Sequence, residues 1–406
     1  MTMMKRALTL ILLLVCLIAI GVSIRFHTEI NRFYHVLTLF DPDVIQHNFR
    51  NMGTIFASRN VPRSGDIYTL PEQAQPLPDN YQWNNEQREL EDWLDRTETT
   101  GMIVLKDGKI VFQEYYRGNN ENSRTISWSV AKSVVSALTG FALQDGAIKT
   151  LEDPVTDYVP ELKASGYDNV RLKDVLQMSS GVGFNEDYGD FHSDINRMGR
   201  TMALGTSIDD FVISLKNARE PGTYNHYVSM DTQVVAMVIT RATGKNLSEY
   251  MEEKLWSRLG AESDVYWLTD DGGVELAFGG LNSTLRDYAR FGQLYLNLGK
   301  NWQGKQLLPE SWIKASVTPD APHLMPGDNP ASGSRFGYAY QWWLPEETTD
   351  EGDYLAVGIY GQFIYVNPKH RVVIAKSSAY SDYNNSSEAM ETESIAVFRH
   401  IARNLK

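Results

Sequence analysis

Ser127-Trp128-Ser129-Val130-Ala131-Lys132-Ser133 is the stretch on which the reading of this chain turns. Upstream, Gly101 to Tyr116 holds two β-rich runs around Asp107-Gly108, a dipeptide that favours the tight turn of a hairpin because both positions tolerate positive φ. Downstream, Val130, Val134, Leu138, Phe141 and Ala142 recur at helical spacing, and Gly146 is placed to stop the helix. A serine therefore opens an apolar helix at the edge of a sheet.

Ser129 and Lys132 stand at i and i+3, which on a helix puts both on one face, about 5 to 6 Å apart between Cβ atoms. A serine hydroxyl is a weak nucleophile and needs a base. A lysine amine becomes one when burial or nearby positive charge lowers its pKa from about 10.4. The helix N-terminus adds N–H groups where an oxyanion would form. Spacing alone is a weak signal, because Ser311-Trp312-Ile313-Lys314 repeats it after Leu308-Pro309-Glu310, in what reads as the first turn of a surface helix.

Two further segments carry candidate chemistry. Pro221 to Ser229 is a turn-rich loop leading into an apolar helix, and its Tyr227 is a phenol that can exchange a proton with a nearby lysine. The adjacent His226 is a weaker candidate, since successive side chains diverge and no partner carboxylate is indicated. Val357-Gly358-Ile359-Tyr360-Gly361-Gln362 leads into a strand, and its glycines let backbone N–H groups approach a ligand. There is no Gly-x-Ser-x-Gly elbow, phosphate loop or dinucleotide fingerprint.

The 406 residues are 42% hydrophobic and 22% charged, which fits an ordinary globular protein, and the net charge of −13 gives no nucleic-acid footprint. The one cysteine, Cys16, lies in an apolar run, so neither a disulfide framework nor a cysteine-based zinc site can be built. The histidines show no metalloprotease spacing, and no metal or cofactor is expected. Lys5 and Arg6 precede Ala7 to Ile24, an uncharged apolar run of 18 residues. That length is nearer a bilayer-spanning helix than the core of a cleaved signal, so contact with a lipid bilayer through residues 7–24 is expected. Arg25 and Arg32 follow the run and weaken the charge asymmetry that sets orientation; an extracytoplasmic, periplasmic catalytic domain is the expectation.

Residues 1–6 read as a short tail, 7–24 as the anchor or signal, 25–84 as a lead-in arm, and 85–406 as the folded body. Within the body, strands first, helices in the middle, then strands and a helix predict an α+β fold. An antiparallel sheet flanked by helices comes from about 85–160 and 334–406, and a mainly helical lobe from 161–333. A cleft between the lobes is the natural site.

Taken in order, Ser129-Val130-Ala131-Lys132, the Pro221-Gly222-Thr223 loop with Tyr227-Val228-Ser229, and Gly358 to Gln362 resemble the β-lactamase-related serine hydrolases, in particular their 6-aminohexanoate-dimer hydrolase branch. Supporting stretches are Leu151 to Val155, Leu176 to Gly181 and Arg286 to Gln293. The resemblance implies the β-lactamase/transpeptidase-like fold and an acyl-enzyme on Ser129. It also implies Lys132 and Tyr227 as the acid/base pair, and the N–H groups of Ser129 and Gln362 as the oxyanion hole. Ser229, Tyr360 and Gly361 fall in the substrate-binding motifs.

Two departures matter. Where class C β-lactamases carry Tyr-x-Asn and Lys-Thr-Gly, this chain has Tyr227-Val228-Ser229 and Ile359-Tyr360-Gly361. The missing lysine removes a cation suited to a substrate carboxylate, which favours a small ester or amide over a β-lactam. The alternatives are a penicillin-binding peptidase or weak β-lactamase, and a catalytically silent ligand-binding protein of the same fold.

Overall fold

The computed structural model describes residues 2–406. Helix α1 (Thr2–Arg25) has 24 residues and so spans about 36 Å, enough to cross the roughly 30 Å core of a bilayer. No part of its apolar window, Lys5–Val22, is buried. Helix α2 (His27–Leu37) follows directly and docks on the body. There Arg32 Nε donates to the Ala203 carbonyl at 2.9 Å and its Nη2 to Asp271 Oδ2 at 2.9 Å.

Among the described residues the main sheet has seven antiparallel strands: β1 (Thr99–Lys106), β2 (Lys109–Tyr115), β3 (Gly337–Tyr338), β4 (Trp343–Leu344), β5 (Tyr354–Gly358), β6 (Gln362–Asn367) and β7 (Val372–Ser378). Their spatial order is β2-β1-β7-β6-β5-β4-β3, so β7, from the far end of the chain, joins the N-terminal hairpin to the rest. The hairpin turns at Asp107 and Gly108, both at positive φ, as the dipeptide requires.

Successive strand residues face opposite sides, and here both sides are covered, which is why β1 reads as an unbroken apolar run. Met102 and Val104 pack with Trp93 of α3 (Leu90–Arg96) and with Phe398, from the long C-terminal helix Tyr383–Asn404. Ile103 and Leu105 join the other core with α4 (Val130–Gln144). The middle of the chain supplies α5 (Asp194–Ala203), α6 (Ser229–Thr243) and α7 (Leu285–Leu296), and the C-terminal helix is α8.

Helix α7 lies within the 161–333 range expected to form the helical lobe, yet it packs on the sheet. A Cβ on Gly292 would come within 2.6 Å of Val373 Cγ1, so only glycine permits this approach. The arm does not stand apart either. Its Ser58–Val61 strand begins a second antiparallel sheet, followed in space by Val265–Leu268, Leu281–Ser283 and Thr125–Ile126. That last strand leads straight into Ser129.

Candidate active site

Ser129 is the N-cap of α4, one turn after the short strand Thr125–Ile126. The Ser127 N–H is held by the Leu281 carbonyl at 2.8 Å, which fixes where the strand ends. Trp128 then takes φ of 44°, an unfavourable value for a bulky residue, and this kink delivers the serine to the helix start. Aromatic packing against Phe40 and Phe49 of the arm, with ring centroids 5.6 and 5.4 Å away, holds Trp128 in place.

Lys132 lies one turn along α4 and is fully buried, at 1% exposure. Its Nζ stands 2.9 Å from Ser129 Oγ, 3.2 Å from Ser229 Oγ and 2.7 Å from the Phe278 carbonyl oxygen. Burial pushes the amine down to about 7, against the Glu186 and Asp231 carboxylates, which favour the charged form. An amine so placed is available in its neutral form near pH 7.

Tyr227 approaches Ser129 from the other side, and both line the same pocket. Its ring stacks on Trp343 at 5.3 Å, and the Lys132 ammonium position lies 5.1 Å from the ring centroid. Burial, reinforced by the Glu186 charge, raises the phenol well above its ordinary value, so it keeps its proton. Ser129, Lys132 and Tyr227, far apart in sequence, are thus brought together.

Ser229 joins them at the start of α6. Its hydroxyl donates to Glu186 Oε1 at 2.5 Å and its N–H to Glu186 Oε2 at 2.9 Å, which leaves a lone pair of Oγ facing Lys132. Tyr188 also donates to Glu186, at 2.6 Å. Glu186 escapes a reading of the sequence because it sits in a loop without periodicity or motif, and only the fold carries it to Ser229.

The Gly358 to Gln362 segment divides differently from the expectation. A Cβ on Gly358 would lie 2.4 Å from the Ser127 carbonyl oxygen and 3.2 Å from Ser129 N, so this glycine lets β5 pass directly beside the Ser129 backbone. Ile359 lines the pocket at Ser129; Gln362, Gly361 and Tyr360 do not. Gln362 is turned inward, with Nε2 donating to the carbonyls of Ser378 at 2.7 Å, Tyr360 at 3.2 Å and Ile359 at 3.3 Å. Gly361, at φ 86°, completes the turn against Ser378. Tyr360 stacks on Phe40 with centroids 4.7 Å apart and planes 13° apart, an arm contact. These three shape the turn from behind.

His226 is occupied elsewhere, its Nε2 being 2.9 Å from the Phe184 carbonyl oxygen. The second Ser-x-x-Lys is a surface turn as expected: Ser311 is exposed, and Lys314 Nζ pairs with Glu310 Oε1 at 2.6 Å.

Beside Ser129 opens a pocket of about 440 Å³ in which the polar Glu186, Tyr188, Tyr227 and Glu391 stand among apolar walls such as Trp343 and Ile359. Burial lifts the Glu391 carboxyl to about 7. A buried serine with a neutral amine and a protonated phenol beside it is equipped for nucleophilic attack with proton transfer.

The β-lactamase family pattern matches residues 88–397. The chain is 31% identical over 303 residues to the 6-aminohexanoate-dimer hydrolase of Paenarthrobacter ureafaciens, covering 72% of this chain and 76% of that protein. A Bacillus anthracis structure assigned as a candidate 6-aminohexanoate-dimer hydrolase superposes with a TM-score of 0.80 at 27% identity, covering 90% of this chain and 95% of that one. A class C β-lactamase, at 18% identity and a TM-score of 0.57 over 78% of this chain and 94% of that one, shares the fold. With the family pattern covering most of its length and a hydrolase among its relatives, this chain belongs to the β-lactamase family.

Proposed function

We propose that this protein is a serine esterase or amidase that cleaves a small acyl compound through an acyl-enzyme on Ser129, without metal or cofactor. The observation that carries the reading is the 2.9 Å approach of Lys132 Nζ to Ser129 Oγ in a fully buried setting. A neutral amine has two N–H bonds and one lone pair. Its N–H groups are satisfied by the Phe278 carbonyl and Ser229 Oγ, which leaves the lone pair for the Ser129 proton.

In the first step the Ser129 oxygen bonds to the substrate carbonyl carbon as its proton passes to Lys132. The bond to the leaving group then breaks, and the leaving oxygen or nitrogen takes a proton from Tyr227, which is resupplied by the Lys132 ammonium. In the second step water attacks the acyl carbon by the same route, and the Ser129–acyl bond breaks. The developing oxyanion is held by the N–H of Ser129 and, on the pocket wall, that of Ile359 rather than Gln362. The relatives' names make short ω-amino-acid amides first substrates to try. Helix α1 is proposed as a membrane anchor, a reading supported by its length and its exposed apolar window, and the catalytic body is proposed to lie on the extracytoplasmic, periplasmic side.

The test is intact-mass spectrometry after exposure to a fluorophosphonate probe. One adduct on the wild type, mapping to Ser129 and absent in Ser129→Ala, supports the reading. A folded wild type that stays unlabelled, beside a labelled relative, sinks it and favours the ligand-binding alternative.

A further inference from the structure

A second cavity meets the first at Ser129. It encloses about 310 Å³ and its chemistry is different: Val36, Phe40, Ile195, Met198, Leu276 and Phe278 are among its walls. The two cavities share Ser129, Tyr188 and Ile359, so the nucleophile stands at their junction. Tyr227, the proposed proton donor to the leaving group, lines only the polar cavity. That assigns the sides: the leaving group lies in the polar cavity, and the acyl group extends into the apolar one.

We infer that the apolar cavity is an acyl-chain subsite, and that the substrate is an ester or amide of a medium-length or long aliphatic acid. This rests on the hydrolase reading above and replaces its small acyl compound with one that carries a longer aliphatic chain. A volume of about 310 Å³ takes roughly ten methylene groups if each fills about the ~30 Å³ of a water molecule in the liquid. The location of the walls is informative. Val36 and Leu37 come from α2, the direct continuation of α1, and the exposed Phe191 also lines the cavity. Arg32 clamps α2 to the end of α5, so this wall is fixed in place. An acyl chain therefore enters beside the chain's most apolar surface.

The experiment is a series of p-nitrophenyl esters from acetyl to dodecanoyl, assayed on the full chain in detergent, with dodecanoate binding to Ser129→Ala measured by calorimetry. Kcat/KM is expected to rise about fourfold per added methylene until the cavity is full. Gly199 of α5 borders the cavity with nothing within 4 Å of its Cβ position. Gly199→Leu should therefore fill the space, cutting the octanoyl-to-acetyl ratio at least tenfold and weakening dodecanoate binding. A flat or falling length dependence with Ser129-dependent acetyl turnover overturns the subsite and leaves the hydrolase standing. No turnover of any ester overturns both, unless Ser129→Ala binds dodecanoate, which supports the cavity alone. Bilayer lipids and soluble acyl compounds share this chemistry. Faster cleavage of the decanoyl ester in phosphatidylcholine vesicles than in monomeric solution supports the first source, and equal rates the second.

Discussion

The Lys132 Nζ lies 2.7 Å from the Phe278 carbonyl oxygen, and its other two hydrogen bonds run to hydroxyls. Among the described residues none of the three runs to a carboxylate, so nothing in direct contact compensates a positive charge there. The nearest stabilising charges, Glu186 and Asp231, act only through space.

The pH profile follows. With Lys132 held at about 7, the neutral, proton-accepting form prevails above that value, so kcat/KM falls as pH drops below it. Lys132→Met should lower kcat/KM by about 10²–10⁴ and remove this acid limb. Glu186→Gln takes away a charge that favours the ammonium, so the limb should move to lower pH. Stopped-flow acylation rates between pH 5 and 9 measure both; an unmoved limb in Glu186→Gln would contradict the electrostatic coupling.

Tyr227→Phe keeps the stack on Trp343 and loses only the hydroxyl. The expected loss is about 10²–10⁴ for anilides and alkyl esters, whose leaving groups need a proton, and much less for p-nitrophenyl esters. Equal losses across leaving groups would assign Tyr227 a packing role.

Gly358→Ala forces a Cβ to 2.4 Å from the Ser127 carbonyl oxygen. Overpacking of this kind costs about 1–3 kcal/mol, and displacement of β5 from Ser129 should lower kcat by about 10²–10³. Calorimetry should show a melting point a few degrees lower. Wild-type kinetics in this variant would mean that the strand is free to shift.

The residues lining the polar pocket include Glu186, Asp187 and Glu391 and, among those described, no lysine or arginine. A β-lactam carboxylate finds no cationic partner among the lining residues. Kcat/KM for benzylpenicillin should be at least ~10² below that for a neutral ester. Comparable values would revive the penicillin-recognising alternative that Ile359 argues against.

Much of this was legible in the chain because the signals are local. Asp107-Gly108 marks the hairpin, and the apolar spacing after Ser129 marks α4. The second sheet left no such trace, since its strands of two to four residues come from three separated regions of the chain and are defined only by pairing. Glu186 was invisible for the same reason. The Gly358 to Gln362 segment was found, but its facing was not: which N–H meets the pocket depends on a turn at Tyr360, φ 60°, and Gly361, whose shape is set by Phe40 and Ser378.

The stack of Phe40 on Tyr360, with Phe49 edge-on to both Tyr360 and Trp128, redraws the boundary of the working unit. The family pattern begins at residue 88, yet the two backbone turns that flank Ser129 lean on rings some forty residues earlier. A chain shortened to the family boundary should still form the seven-stranded sheet and α4. It would lose the rings wedged between its two turns, so the stretch that makes the fold and the stretch that shapes the Ser129 site end at different residues.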